Sequence, residues 1–184
     1  MKISEVFRNT FIGHLFIFLD INIIGVDILP DALGWFIIGG AFVEAEKVTN
    51  PQMAKRLAIM IGVLSLPFTL LSVQQMIQTS IYVELLHTTM LVVSVVFYYF
   101  FFSVCLDIAK LYKQESNVRQ MKYIFLPMQI INLLSLAILI HLPLVYRVVG
   151  VAFTLVGLIV FIMFIVFLWQ MKNRTSGPIF DEEI

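Results

Sequence analysis

The sequence predicts an all-α protein, a polytopic transmembrane helix bundle of about six membrane segments. Three observations lead to this fold class: long apolar runs, an apolar composition, and basic residues confined to the connections between runs. Hydrophobic residues fill 60% of the 184 positions and the mean hydropathy is +0.97, whereas soluble domains are about 45 to 50% apolar. A helix of ~20 apolar residues crosses hydrocarbon. The runs occupy residues 7–24, 31–46, 57–78, 85–108, 123–142 and 148–171.

The basic residues predict which side of the membrane each connection faces. Of the 12 Lys and Arg residues, 11 share one side if the first two runs make an even number of crossings and the others cross once each; Arg147 alone falls opposite. Positive charge marks cytoplasmic loops, so both termini are expected in the cytoplasm. Residues 1–171 then form the bundle and residues 172–184 a flexible cytoplasmic tail. The clusters are Lys2 with Arg8; Lys47, Lys55 and Arg56; Lys110, Lys113, Arg119 and Lys122; and Lys172 with Arg174.

Tryptophan and tyrosine give an independent check, because both favour the membrane interface. Six of the eight lie near an expected end of a run. Tyr98 and Tyr99 do not, since both fall near the middle of the fourth run. The aromatic block at 97–102 that contains them is expected to face lipid or to fill the core.

The first two runs are compatible with two arrangements. Asp20, Asn22, Asp27 and Asp31 interrupt an otherwise apolar stretch over residues 7–43, so each half is at the lower limit for spanning. Two short transmembrane helices joined by an outer turn fit the pattern, and so does a re-entrant hairpin. Non-helical backbone at membrane depth requires cover by protein or a water-filled cavity. Both arrangements return the chain to the cytoplasmic side.

The interrupted segment is also the first candidate site. Pro30 suits the first turn of a new helix, and Asp27 or Asp31 can cap or complement the positive end of that helix. The functional alternative is that the carboxylates converge near the outer surface and bind a divalent cation or a protonated substrate. Histidines would extend this site to metal binding or a proton relay, with no particular metal indicated. The candidate residues are Asp20, Asn22, Asp27, Asp31, His14, His87 and His141.

Polar residues inside the third and fifth runs form a second candidate, a polar path through the bundle. Gln129 and Asn132 are three residues apart and therefore share a helix face. Interhelical hydrogen bonds are the structural explanation, and passage of a polar solute is the functional one. The path residues are Gln74, Gln75, Gln129 and Asn132.

Small residues in the second run predict close helix packing. Gly34, Gly39, Gly40 and Ala41 present a surface that lets another helix approach closely. We expect this surface to be structural.

The sequence argues against catalysis and against nucleic-acid binding. It contains no recognisable Ser, His and Asp set, no Cys and His zinc spacing and no glycine-rich phosphate loop after a strand. The single cysteine, Cys105, rules out an intrachain disulfide. No basic face remains for nucleic acid once the loops are assigned to a membrane surface. We therefore expect a non-enzymatic protein without a cofactor.

The segment Leu19-Asp20, with Gly25 through Asp31 and then Gly34-Trp35, includes the sequence D-I-L-P-D. It resembles the N-terminal signature of small, uncharacterised multi-pass membrane proteins of Gram-positive bacteria. The likeness covers about a tenth of the chain. It implies a bacterial cytoplasmic membrane and brings with it no activity, substrate or catalytic residue.

Three functions remain open from the sequence, of which an intramembrane enzyme that uses the outer Asp and His residues is the least favoured. Short loops and few deep polar residues favour an accessory or regulatory protein that acts through helix contacts. Its partners would be the lipid bilayer and either another membrane protein or a second copy in a homo-oligomer. The alternative is a small ion or solute transporter, or a channel subunit, that uses the polar path.

Overall fold

The computed structural model describes residues 3–18, 22–23, 26–27, 31–70, 81–139 and 145–177. Within these residues the chain is helical apart from one short strand pair, which confirms the all-α prediction. The helices are α1 Ser4–Phe18, α2 Asp31–Ala45, α3 Gln52–Leu70, α4 Ile81–Leu111, α5 Glu115–Leu139 and α6 Val145–Arg174. The strands are β1 Asn22–Ile23 and β2 Val26–Asp27.

The strand pair joins α1 to α2 as a helical hairpin. Asn22 pairs with Asp27 and Ile23 with Val26 in antiparallel register, so the chain reverses direction between the two strands. Asp31 is the first residue of α2, where its carboxylate complements the positive end of the helix, as the sequence predicts. Gly25 and Pro30 lie outside the described residues.

Local chemistry also sets the boundary between α4 and α5. Gln114 N–H donates to the Ala109 carbonyl at 2.9 Å and Lys113 N–H donates to the Lys110 carbonyl at 3.3 Å. Lys113 has a φ of 54°, the left-handed conformation that closes a helix C-terminus. The α4 helix therefore ends in a hydrogen-bonded turn that directs the chain into α5.

The core of the bundle is built largely from phenylalanine. Five of the six described helices supply fully buried rings, and those of α2, α4, α5 and α6 contact one another mainly through edge-to-face and tilted geometries, which aromatic pairs favour. The shortest of these ring contacts joins Phe125 of α5 to Phe164 of α6, with centroids 4.3 Å apart. The buried phenylalanines are Phe7, Phe42, Phe97, Phe101, Phe102, Phe125 and Phe164. Most of the aromatic block in the fourth run is thus core.

Two glycines allow α1 and α2 to cross at very short range. A Cβ atom placed on Gly13 would lie 2.6 Å from the Gly34 carbonyl oxygen, and one on Gly34 would lie 2.5 Å from the Gly13 carbonyl oxygen. Any larger residue at either position would collide with backbone. A Cβ on Gly39 would instead lie 3.0 Å from the Ile59 side chain of α3, while a Cβ on Gly40 would meet nothing within 4 Å. The small residues of α2 therefore serve different neighbours rather than one face.

The outside of the bundle is apolar over much of its described length. Two helical segments there are long and apolar enough to cross a membrane: Thr88–Leu111, with a mean hydropathy of 2.2, and Leu155–Arg174, with 2.3. They belong to α4 and α6. The 15 residues of α1 and of α2 reach only about 22 Å at 1.5 Å per residue, less than the ~30 Å hydrocarbon core.

Candidate functional site

His14 is the one predicted site residue that the structure places, side chain included, in a polar contact deep in the core. Its side chain is fully buried on α1. The ring Nδ1 lies 2.8 Å from the Thr10 carbonyl oxygen, and Nε2 lies 3.1 Å from the Tyr98 hydroxyl on α4. A carbonyl only accepts, so Nδ1–H is the donor. A neutral imidazole then accepts the Tyr98 O–H at Nε2 and satisfies both contacts.

Aromatic rings from three further helices lie around this pair. The His14 ring lies 4.9 Å, centroid to centroid, from Phe164 on α6 in an edge-on geometry and 6.3 Å from Trp35 on α2. Tyr98 is covered in turn by Phe125 on α5, at 4.8 Å. Five helices thus meet around one buried hydrogen bond. The low polarity strengthens that bond and raises the cost of breaking it.

Thr10 adds an unusual feature to this cluster. It lies one turn before His14, is fully buried, and its carbonyl accepts the His14 Nδ1–H. Its own hydroxyl oxygen has no hydrogen-bond partner within the described part of the chain. A buried hydroxyl without a partner costs stability. We call Thr10, His14 and Tyr98 the buried polar cluster.

The position of Tyr98 in the sequence could have indicated a buried hydrogen-bond partner for its hydroxyl. It falls near mid-run, where an interfacial anchor does not belong, and the structure explains the position through its hydrogen bond to His14. Tyr99 has a different explanation, since its exposed ring receives the Lys122 ammonium at 4.7 Å. A tyrosine in the middle of an apolar run indicates a buried partner for its hydroxyl.

The structure describes only some of the remaining ion-site candidates. Asn22 and Asp27 are paired through their backbones, and Asp31 is half-buried at the start of α2. His87 lies on α4, but its side chain is outside the described residues, as are Asp20 and His141. Among the described residues, no group of three or more His, Cys, Asp or Glu side chains could hold a metal ion. Convergence of the acidic segment with the histidines stays a prediction.

The predicted polar path is represented by the two residues on α5. Asn132 packs against α6, where a Cβ on Gly157 would lie 3.3 Å from its Nδ2 atom. Gln129, one turn earlier, is half-buried. Gln74 and Gln75 lie outside the described residues. The α5 amide is therefore placed at a helix contact, and a continuous path stays a prediction.

The basic side chains that the structure describes gather at one end of the bundle, which we call the basic end: the start of α1, the α2–α3 and α4–α5 connections, and the end of α6. Thr49 Oγ1 donates to Asp107 at 3.2 Å and joins the α2–α3 connection to α4. Arg174 donates to Gln114 Oε1 at 2.6 Å and joins the end of α6 to the α4–α5 connection. Four ion pairs between described side chains lie here: Lys47 with Glu44, Lys55 with Glu46, Lys110 with Asp107, and Arg119 with Glu115.

This grouping agrees with the charge pattern of the sequence. The basic clusters that the sequence assigns to one side come together in the structure as far as they are described. Cys105 is buried in the core near this end, inside α4. Comparison with family models, with curated proteins and with solved structures finds no match to the chain. Function therefore has to be inferred from the buried polar cluster, the apolar surface and the basic end.

Proposed function

We propose that this chain is a multi-pass protein of a bacterial cytoplasmic membrane, with about six membrane segments and both termini in the cytoplasm. In this proposal it has an accessory or regulatory role without catalysis and acts through helix contacts. Its partner is another membrane protein or a second copy of the chain. The short α1–α2 hairpin packs into the bundle, while α4 and α6 span fully.

The distribution of polarity supports the membrane location. Side chains that face outward on α6, such as Leu155, Ile159 and Ile162, are more than half exposed although they are apolar. Charged side chains concentrate at the basic end, where positive charge marks the cytoplasmic face. A helix that is apolar toward the core and toward the outside is suited to lipid rather than water.

One outward-facing glycine carries the proposal of a helix partner. On α2 the exposed residues Leu33, Phe36, Gly40 and Val43 follow helical spacing and form an apolar stripe. Glycine at an outward helix position lowers helix stability by about 1 kcal/mol relative to alanine. Contact with lipid alone does not require a glycine there. A glycine notch does, however, allow a second helix to approach closely.

Site-specific photocrosslinking tests this proposal. A photoreactive residue at position 40 should capture a second protein, or a second copy, in native membranes. The same residue at position 159, on the exposed face of α6, should capture much less. Gly40→Leu should abolish a partner-dependent complex without unfolding the chain, because the position is open. Recovery of the uncrosslinked chain from both positions would contradict the proposal.

The transport alternative draws on Thr10, one helical turn before His14, whose buried hydroxyl has no hydrogen-bond partner among the described residues. A second polar group at that depth is a feature that a solute pathway would use. His14→Phe and Asn132→Leu on α5 test whether the buried polar cluster and the predicted polar path both take part in transport. If transport is the function, both variants lose flux in proteoliposomes while each still folds; unchanged flux removes these residues from any pathway.

A further inference from the structure

A pocket of about 300 Å³ lies at the basic end, between the start of α1 and the end of α6. The two helices are held beside it by Phe11 and Trp169, whose ring centroids are 5.4 Å apart. Every residue that lines it has a polar or charged side chain, unlike the apolar exterior of the helices. The lining residues are Ser4, Glu5, Arg8, Lys172 and Ser176.

Two cations that line this pocket form no ion pair among the described residues, whereas four other basic residues at this end pair with carboxylates. Arg8 Nε donates to Asn9 Oδ1 at 3.2 Å, and its two terminal Nη groups have no hydrogen-bond partner among the described residues. The Lys172 ammonium lies 3.9 Å from the centroid of the Trp169 ring. Among the ion pairs of the described residues, none involves Arg8, Lys172 or Glu5. Within the described part of the chain, the pocket thus presents two positive charges from two different helices, neither of them in an ion pair.

These groups match the requirements of a phosphate. A guanidinium offers two parallel N–H donors that fit phosphate oxygens, and an ammonium adds a mobile positive charge. The Ser4 hydroxyl is available as a further donor, while Ser176 already donates to the Lys172 carbonyl at 2.7 Å. The half-exposed Trp169 ring marks the depth of a membrane interface. Phospholipid phosphates lie at that depth.

Glu5 restricts the class of phosphate that fits. Its carboxylate lines the same pocket, so the side chains supply two positive charges and one negative. A purely anionic group would be repelled by Glu5. A headgroup that carries an ammonium beside its phosphate can place the phosphate on Arg8 and Lys172 and the ammonium on Glu5.

We propose that this pocket binds a phosphate group through Arg8, Lys172 and Ser4, and that Glu5 selects a phosphate bearing a neighbouring ammonium, as in phosphoethanolamine. The source is a membrane phospholipid headgroup, and this assignment rests on the proposed membrane location. A bound headgroup would bridge α1 and α6 and hold both ends of the chain at the membrane surface.

Lipid binding to the purified full-length protein tests the proposal. The delipidated protein in detergent is titrated with phosphatidylethanolamine, phosphatidylglycerol or phosphatidylcholine, and bound lipid is counted by native mass spectrometry. Arg8→Gln and Lys172→Gln should each weaken phosphatidylethanolamine binding by roughly tenfold to a hundredfold, the usual loss for one charged hydrogen bond. Glu5→Gln should shift the preference toward phosphatidylglycerol.

Matched controls separate this pocket from the general charge of the basic end. Arg174 also bonds to an amide side chain, and Lys122 also lies over an aromatic ring, yet neither lines the pocket. Arg174→Gln and Lys122→Gln should leave binding within about twofold, since charges outside the pocket act only through screened, longer distances. Equal losses in the pocket and control variants would overturn the proposal.

Two further experiments distinguish a lipid headgroup from free phosphate and separate failure of the pocket proposal from failure of the membrane proposal. Inorganic phosphate that binds with the same Arg8 and Lys172 dependence, and displaces the lipid at equal concentration, would overturn the lipid source while upholding the phosphate site. Alkaline carbonate extraction of native membranes reports separately on membrane integration. A chain that resists extraction but binds lipid indifferently to Arg8 and Lys172 overturns the pocket alone.

Discussion

The Tyr98 hydroxyl donates to His14 Nε2 across 3.1 Å, linking two helices whose contacting residues are 84 positions apart in the chain. The bond lies among phenylalanine and tryptophan rings, so each partner depends on the other for its hydrogen bond. Loss of one partner leaves a buried polar group unsatisfied, which is more costly than the net value of the bond itself.

Tyr98→Phe should therefore destabilise the bundle. Removing the hydroxyl leaves His14 Nε2 without a donor, at a cost of about 1 to 3 kcal/mol. Thermal unfolding in detergent measures the change. Tyr99→Phe is the matched control, because it alters a neighbouring, half-exposed tyrosine on the same helix. Equal effects of the two substitutions would show that the His14 contact does not stabilise the fold.

Thr10→Val should be neutral or stabilising. Valine keeps the branched shape of threonine and removes a buried hydroxyl that has no partner in the described part of the chain. Replacing an unsatisfied polar atom by an apolar one removes its desolvation cost. The free energy of unfolding measures this directly, with Thr10→Ala as the comparison that also removes packing. A clear loss of stability in Thr10→Val would mean that the hydroxyl has a bound ligand or water in the native protein.

Gly34→Ala should disrupt the crossing of α1 and α2. The new Cβ would lie 2.5 Å from the Gly13 carbonyl oxygen, and backbone atoms cannot move aside as a side chain can. Overpacking of this kind costs about 1 to 3 kcal/mol or more. Gly40→Ala on the same helix should gain up to about 1 kcal/mol through helix propensity. Both are checked by thermal unfolding, and a tolerated Gly34→Ala would contradict the close crossing.

Tyr112, just beyond the apolar part of α4, should make stability fall at high pH. Burial raises the pKa of its hydroxyl above the ordinary value of 10.0. The folded state therefore resists ionisation, so this contribution is intact below the unfolded pKa and is lost as pH rises through the folded one. Tyr112→Phe should flatten the alkaline fall in unfolding temperature. Tyr123→Phe, which alters a 77% exposed side chain, should leave the fall unchanged.

The sequence pattern predicts the helical class because the apolar runs are long and the charges stand between them. It also predicts that Gly34 permits close packing and that Asp31 begins a helix, both of which depend on local chemistry. It does not identify Gly13 as the partner of Gly34, or Tyr98 as the partner of His14. Those pairings depend on how helices that are distant in the chain pack together. Local sequence patterns in a single chain do not predict such packing.

The basic end shows how far charge alone can predict arrangement. The positive clusters are expected on one side because a membrane separates them, and contacts such as Arg174 with Gln114 place them together. Which of those cations remain without a carboxylate depends on exact side-chain positions. The pocket at Arg8 and Lys172 therefore emerges only from the structure.

Cysteine labelling in intact bacteria tests the membrane orientation most directly. On a Cys105→Ser background, single cysteines are placed at Ser80, between the third and fourth apolar runs where no Lys or Arg occurs, and at the exposed Ser116 of the basic end. Both are treated with a membrane-impermeant maleimide. The proposed orientation predicts labelling at position 80 in intact cells and at position 116 only after permeabilisation. The reverse pattern would contradict the orientation, and recovery of the chain in the soluble fraction would contradict the membrane location.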